Sequence, residues 1–128
     1  MAVSCGNDIV KVSRIKNSIE KIGDTFIKRI YTDEEISYCE SRRMCKYQSY
    51  AVRFAAKEAV YKALSPLNDE DATWKDIEIK REENGKPKVY LKGFLRDYAK
   101  SIGINENQID ISLSHDDDFA IATVVIEY

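Results

Sequence analysis

Arg53-Phe54-Ala55-Ala56-Lys57-Glu58-Ala59-Val60-Tyr61-Lys62-Ala63-Leu64 is the stretch on which the reading of this chain turns. It is rich in alanine and free of glycine and proline, which predicts a helix. Residues four apart on a helix share a face, so Glu58 with Lys62, and Arg53 with Lys57, can each act on one object. A carboxylate and three cations at these spacings suit a metal ion beside a polyphosphate. Taken alone they better suit an ordinary surface helix with a stabilising Glu-to-Lys pair, so the choice rests on the rest of the chain.

Outward from this helix, Pro66 ends it, because the residue before proline avoids helical geometry. Upstream, Ala2 to Val10 reads as a first strand, bulged at Gly6. Ser13 is placed to cap a helix to Lys21 with Ile15, Ile19 and Ile22 on one face. Gly23-Asp24 closes it, and a brief Phe26-Ile27-Ile30 segment follows. Thr32-Asp33-Glu34-Glu35 is a capping box, opening a second helix to about Arg43, and the central helix begins near Gln48. Downstream, 65–75 is a polar, acidic loop, and Asp76 to Glu82 alternates as a half-buried strand should. Asn84-Gly85 marks a hairpin with positive φ open to both residues, and Val89 to Leu91 returns. Phe94 to Ser101 is helical and stops at Gly103. Ile109, Ile111 and Leu113 alternate, Ser114 to Asp118 form a hairpin connection, and Phe119 to Ile126 is the last strand. This order predicts one α+β domain over 1–128, with helices packed on a largely antiparallel β-sheet.

The chain has 128 residues, 44% hydrophobic and 33% charged, which fits one soluble domain. No apolar run reaches the roughly 18–20 residues of a membrane span. The first residues carry no basic segment before Asp8, so no signal peptide is expected. Cys5, Cys39 and Cys45 match no zinc or redox spacing and read as free thiols in the cytoplasm. The net charge is only −2, yet residues 11–30 hold six basic side chains and two acidic ones. Such a segment is either a solvated face or a docking site for an acidic partner, and the near-neutral total disfavours nucleic acid.

Three further positions bear on chemistry. Asp8 lies toward the end of the first strand, just after Gly6, where backbone can approach closely. With Glu58 it forms a pair of hard oxygen ligands, enough for Mg²⁺ if phosphate oxygens and water complete the octahedron. His115, the single histidine, and Lys62 would supply cationic or hydrogen-bonding groups for phosphate. Taken singly, Asp8 is more often a turn or cap residue and His115 more often a structural histidine, and spacing alone does not bring these positions together.

Gly6-Asn7-Asp8-Ile9-Val10 with Arg14-Ile15, the block Arg53 to Ala63, Asn84-Gly85-Lys86-Pro87, and Ile111-Ser112-Leu113-Ser114-His115-Asp116 together resemble the holo-acyl-carrier-protein synthases, a 4′-phosphopantetheinyl transferase family. The resemblance covers essentially the whole chain. It implies transfer of the phosphopantetheine arm from coenzyme A to a serine of apo-acyl carrier protein, with release of adenosine 3′,5′-bisphosphate. It implies Asp8 and Glu58 as Mg²⁺ ligands, and Arg53, Lys57, Lys62 and His115 on the phosphates. Backbone around Asn84, Gly85, Lys86 and Pro87, and from Ser112 to Ser114, would hold the nucleotide. Arg14, Lys21 and Lys28 would dock the acidic carrier protein. Catalytic roles would fall to Glu58, Lys62 and His115: Lys62 stabilises or protonates the leaving group, and the serine proton goes to Glu58, a metal-bound water or His115, with an activated water preferred. The family commonly forms homotrimers with sites at subunit boundaries. The rival readings are a non-catalytic carrier-protein or coenzyme A binding module of the same fold, and a small Mg²⁺-dependent nuclease or nucleotide hydrolase.

Overall fold

Alternating burial along three strands and near-complete burial of one long helix define the centre of the molecule. The computed structural model describes residues 1–66 and 70–128. In chain order the elements are β1 (Val3–Lys11), α1 (Val12–Ile22), α2 (Asp24–Ile30), α3 (Asp33–Ser41), α4 (Lys46–Leu64), β2 (Ile77–Arg81), β3 (Pro87–Leu91), α5 (Gly93–Ser101), β4 (Ile109–Asp116) and β5 (Phe119–Glu127). Single 3₁₀ turns occupy Arg43–Cys45, Trp74–Asp76 and Glu106–Gln108. Three strands form an antiparallel sheet in the order β1-β5-β4, and β2-β3 is a separate hairpin.

On the sheet, Gly6 and Val10 of β1, Ala120, Ala122, Val124 and Ile126 of β5, and Ile109 and Ile111 of β4 are buried beneath α4. Residues between them point to the opposite face, as the two-residue strand period requires. Helix α4 meets the sheet through Ala55, Ala56, Ala59 and Ala63, all buried. Small side chains on both partners let backbone approach backbone. Gly6 shows how closely: a Cβ there would collide with the Ala59 carbonyl oxygen and come 2.9 Å from the Ala63 amide nitrogen. The glycine stays in register opposite Val124, so β1 carries no bulge at this point. Its glycine answers a packing contact rather than an extra residue.

Other expectations shift in instructive ways. Ser13 does not cap α1, which has Lys11 at its N-cap position. Instead Asp118, from the β4–β5 turn, accepts from the Ser13 amide at 3.0 Å and the Ser13 hydroxyl at 2.6 Å. A tertiary carboxylate thus does what a local hydroxyl was expected to do. Val12, Ile15 and Ile19 face the core, but Ile22 is exposed, and the Phe26 segment is the short helix α2. The Thr32/Glu35 capping box forms as expected, with α3 ending at Ser41. In the β2–β3 connection only Gly85 adopts positive φ, at 85°. Asn84 instead uses its side-chain oxygen to accept from the Lys86 amide at 2.9 Å. Strand β4 runs through Ser114 and His115 to Asp116, so His115 belongs to a strand and not to the turn. Part of the expected 65–75 loop, residues 67–69, lies outside the described residues.

Candidate active site

Helix α4 distributes its functional side chains by angle. At about 100° per residue, Phe54, Glu58, Tyr61 and Lys62 fall on one stripe, the stripe that is half-buried or exposed. Arg53 and Lys57 fall on another and are buried. The two pairs seen in the sequence therefore serve different places.

The Glu58 stripe faces the end of β1. Lys62 Nζ lies 3.0 Å from Asp8 Oδ1 and donates to the Asn7 carbonyl at 3.0 Å. The Gly6 contact sets this reach, because it seats β1 two residues before Asp8 against the same helix. Burial pushes the Glu58 carboxyl above the usual carboxylate range, and the Asp8 charge pushes it further, against opposing pulls from Lys62 and Arg14. Asp8, Glu58, Lys62 and Arg14 thus share one electrostatic neighbourhood drawn from β1, α4 and α1. Two facing carboxylates are hard oxygen donors of the type that Mg²⁺ takes, and their mutual repulsion is what a divalent cation relieves. Among the described residues no group of three or more His, Cys, Asp and Glu side chains could hold a metal. A Mg²⁺ ion between Asp8 and Glu58 would therefore draw its other ligands from phosphate oxygens and water, an arrangement these residues fit.

A cleft of about 270 Å³ opens beside Glu58, lined by Lys57, Tyr61, Ala72, Thr73, Trp74 and Ile77. Sequence reasoning missed this wall. Tyr61, three residues after Glu58 on the same stripe, was the legible hint; the other side comes from a segment with no periodic signal.

The remaining expected site residues lie elsewhere in the chain. Lys57 is fully buried: its ammonium is 2.8 Å from Glu35 Oε1 and donates to the Trp74 carbonyl at 3.2 Å and the Ile77 carbonyl at 2.5 Å. Its three protons already have three acceptors, which leaves none for a phosphate. The guanidinium of Arg53 lies 4.2 Å from the Tyr38 ring centroid, buried, with no hydrogen-bond partner at Nε. Asn84 and Gly85 sit at the exposed tip of the β2–β3 hairpin, and Lys86 pairs with Asp110 at 3.2 Å while Pro87 opens β3. His115 occupies the Val10–Ala120–His115 row of the sheet, two rows beyond Asp8–Ala122–Leu113 and two strands away from β1. Ser112 and Ser114 point to the open face. Arg14 and Lys21 on α1, and Lys28 on α2, are exposed.

A family model for the 4′-phosphopantetheinyl transferase superfamily matches residues 4–124, and the chain belongs to that superfamily. Within it the likeness is to the holo-[acyl-carrier-protein] synthases. The chain is 45% identical over 126 residues to the holo-[acyl-carrier-protein] synthase of Ruminiclostridium cellulolyticum, covering 98% of this chain and 92% of that protein. Among solved structures, the Helicobacter pylori holo-[acyl-carrier-protein] synthase in complex with coenzyme A superposes with a TM-score of 0.81 at 31% identity, covering 96% of this chain and 99% of that one. The corresponding enzyme of Neisseria meningitidis superposes with a TM-score of 0.85 at 31% identity, covering 98% of each chain. No helix among the described residues is long and apolar enough to cross a membrane.

Proposed function

We propose that this chain transfers the 4′-phosphopantetheine arm of coenzyme A to a serine hydroxyl of apo-acyl carrier protein, the step that primes the carrier for fatty-acid synthesis. The observation that carries the reading is the convergence of Asp8, Glu58, Lys62 and Arg14 at one end of β1. In the reaction the serine oxygen forms a bond to the arm-side phosphorus. The bond from that phosphorus to the bridging oxygen breaks, and adenosine 3′,5′-bisphosphate leaves. Asp8 and Glu58 would hold Mg²⁺, which when bound offsets charge on the bridging and leaving oxygens. Glu58, a carboxylate facing the end of β1, would accept the serine proton directly or through one water. Lys62, held at the Asp8 carboxylate, places an ammonium where the leaving phosphate gathers charge. Arg14 and Lys21 offer the acidic carrier protein a positive surface beside the site.

Assembly completes the reading. The face of the β1-β5-β4 sheet away from α4 exposes Val3, Ile9, Phe119 and Val125, with Val3 64% and Ile9 58% accessible. An apolar sheet face of this kind is what a second copy covers. We read the working form as a homotrimer in which the Asn84–Pro87 turn and His115 of a neighbouring copy face the Glu58 site. The unpaired cysteines fit a cytoplasmic setting.

The direct test is the intact mass of apo-acyl carrier protein after incubation with this protein, coenzyme A and Mg²⁺, beside a chelator control. A metal-dependent gain of one phosphopantetheine arm supports the reading. No gain with folded protein and several carriers leaves a binding module.

A further inference from the structure

The run Asp116-Asp117-Asp118 is a sequence feature that the transferase chemistry leaves unused. Asp116 and Asp117 are exposed, whereas Asp118 is half-buried. Asp116 pairs with Phe119, so only two residues turn the chain from β4 to β5. The first, Asp117, sits at φ 53°, a left-handed conformation that Asp tolerates better than most residues. The second, Asp118, has both its carbonyl and its carboxylate on the start of α1. The Val12 amide donates to the Asp118 carbonyl at 2.7 Å, the Ser13 amide to Oδ1 at 3.0 Å, and the Ser13 hydroxyl to Oδ2 at 2.6 Å.

Helix α1 follows β1 with no intervening residue. Lys11 at its N-cap position makes no side-chain cap bond, and its first turn holds no acid. The first amides of a helix lack acceptors within the helix, and helix termini fray first. Arg14 belongs to this first turn. Lys21 belongs to the last, where the buried Ile19 holds the helix to the core. The two cations of the basic face therefore depend on different supports. Arg14 is also the one whose charge reaches Glu58 and draws its proton affinity down.

We propose that Asp118 is a positioning residue for the carrier-protein substrate: by tying the first turn of α1 to the β4–β5 turn, it aims Arg14 at the carrier beside Glu58. The proposal rests on the transferase reading, since it takes the acidic carrier to meet Arg14. A plain charge effect has the opposite sign. An acid on a basic surface repels an acidic partner, so its removal for that reason alone would tighten docking.

The experiment measures KM for apo-acyl carrier protein and for coenzyme A in the full-length protein and its variants, with amide hydrogen exchange on the same samples. Asp118→Ala is expected to raise the carrier KM about fivefold, the equivalent of one lost cap, with the coenzyme A KM unchanged. Asp118→Asn should restore the wild-type value, because Asn and Asp cap equally well. Adding Asp118→Ala to Arg14→Ala should raise the carrier KM no further, whereas adding it to Lys21→Ala should multiply the two effects. Exchange should quicken over residues 12–15 and stay unchanged over 18–22. Should Asp118→Ala not fold, Ser13→Ala deletes the hydroxyl bond alone and runs the same cycles with a smaller rise.

An unchanged or lowered carrier KM in the alanine variant overturns the proposal. So does a loss shared equally by both substrates, a full multiplication with Arg14→Ala, or failure of Asn to rescue. In each of these cases the wild-type protein still transfers, and the transferase reading stands. Wild-type protein that transfers to no carrier overturns the proposal together with the reading beneath it.

Discussion

Gly6 lies against Ala59 so closely that no side chain fits between them, and this contact fixes how far Asp8 reaches along α4 toward Lys62 and Glu58. A strand and a helix are locked at that point, and two residues later the strand delivers a carboxylate. Gly6→Ala forces backbone apart and cannot be relieved by a rotamer. We expect a loss of about 3 kcal/mol or more in urea unfolding, the upper range for overpacking. Transfer activity measured on the folded fraction should fall as well, because Asp8 and Glu58 move apart. A variant with full specific activity would separate the packing contact from the site.

Glu58 is held at a cost that its substitution should reveal. Its carboxyl is raised above the ordinary value of 4.5 by burial and by Asp8. The folded state therefore binds the Glu58 proton more tightly than the unfolded chain, and stability falls as pH rises through that interval. Glu58→Gln removes the effect. Without added metal it should match the wild type at acidic pH and become the more stable protein once pH exceeds the raised value. Transfer activity should be abolished in the same variant. Urea titrations across pH and mass-resolved transfer assays check both halves.

The Glu35–Lys57 pair predicts a non-additive double substitution. Lys57→Met alone leaves a buried carboxylate unpaired, at a cost of about 3–5 kcal/mol. Replacing Glu35 by Leu at the same time removes the orphaned charge, so the double variant should be more stable than either single one. Thermal or urea unfolding of all four proteins closes the cycle.

Reversing charge at Arg14 and Lys21 should raise the KM for the carrier protein several-fold with little change in the KM for coenzyme A. The salt dependence of the first constant should weaken in parallel. Both side chains are exposed on α1, whose N-terminus Asp118 secures, so Asp118→Ala should destabilise the fold by about 1 kcal/mol and loosen the same surface. Unchanged carrier-protein kinetics in the charge-reversed protein would assign the basic helix another use.

The three thiols report on burial and assembly. Cys39 is fully buried and its thiol is pushed up to about 12, so it should resist iodoacetamide in the native protein. Cys45 is exposed and should react. Cys5 lies on the open sheet face, so in the proposed homotrimer it should be protected and should react when a charged substitution at Ile9 breaks that face. Peptide mass mapping after a timed pulse distinguishes the three.

The sequence by itself determined the element order, the α+β layout, the long central helix and the Thr32/Glu35 cap, because periodicity, capping and the Pro66 boundary are local properties. It also carried the motif blocks on which family membership was legible, and the shared face of Glu58 and Lys62, which needs only helical spacing. What the tertiary structure alone decided was which pairs serve the site. Arg53 and Lys57 look like the partners of Glu58 on paper, but helical angle and the packing of α3 and β2 bury them. Asp118 read only as part of a hairpin connection and is a helix cap; Trp74 sat in a segment without pattern and walls the cleft. These assignments depend on contacts between residues far apart in the chain, such as Asp118 with Ser13 or Gly6 with Ala59. No local propensity encodes such a contact; only the closing of the sheet under α4 creates it.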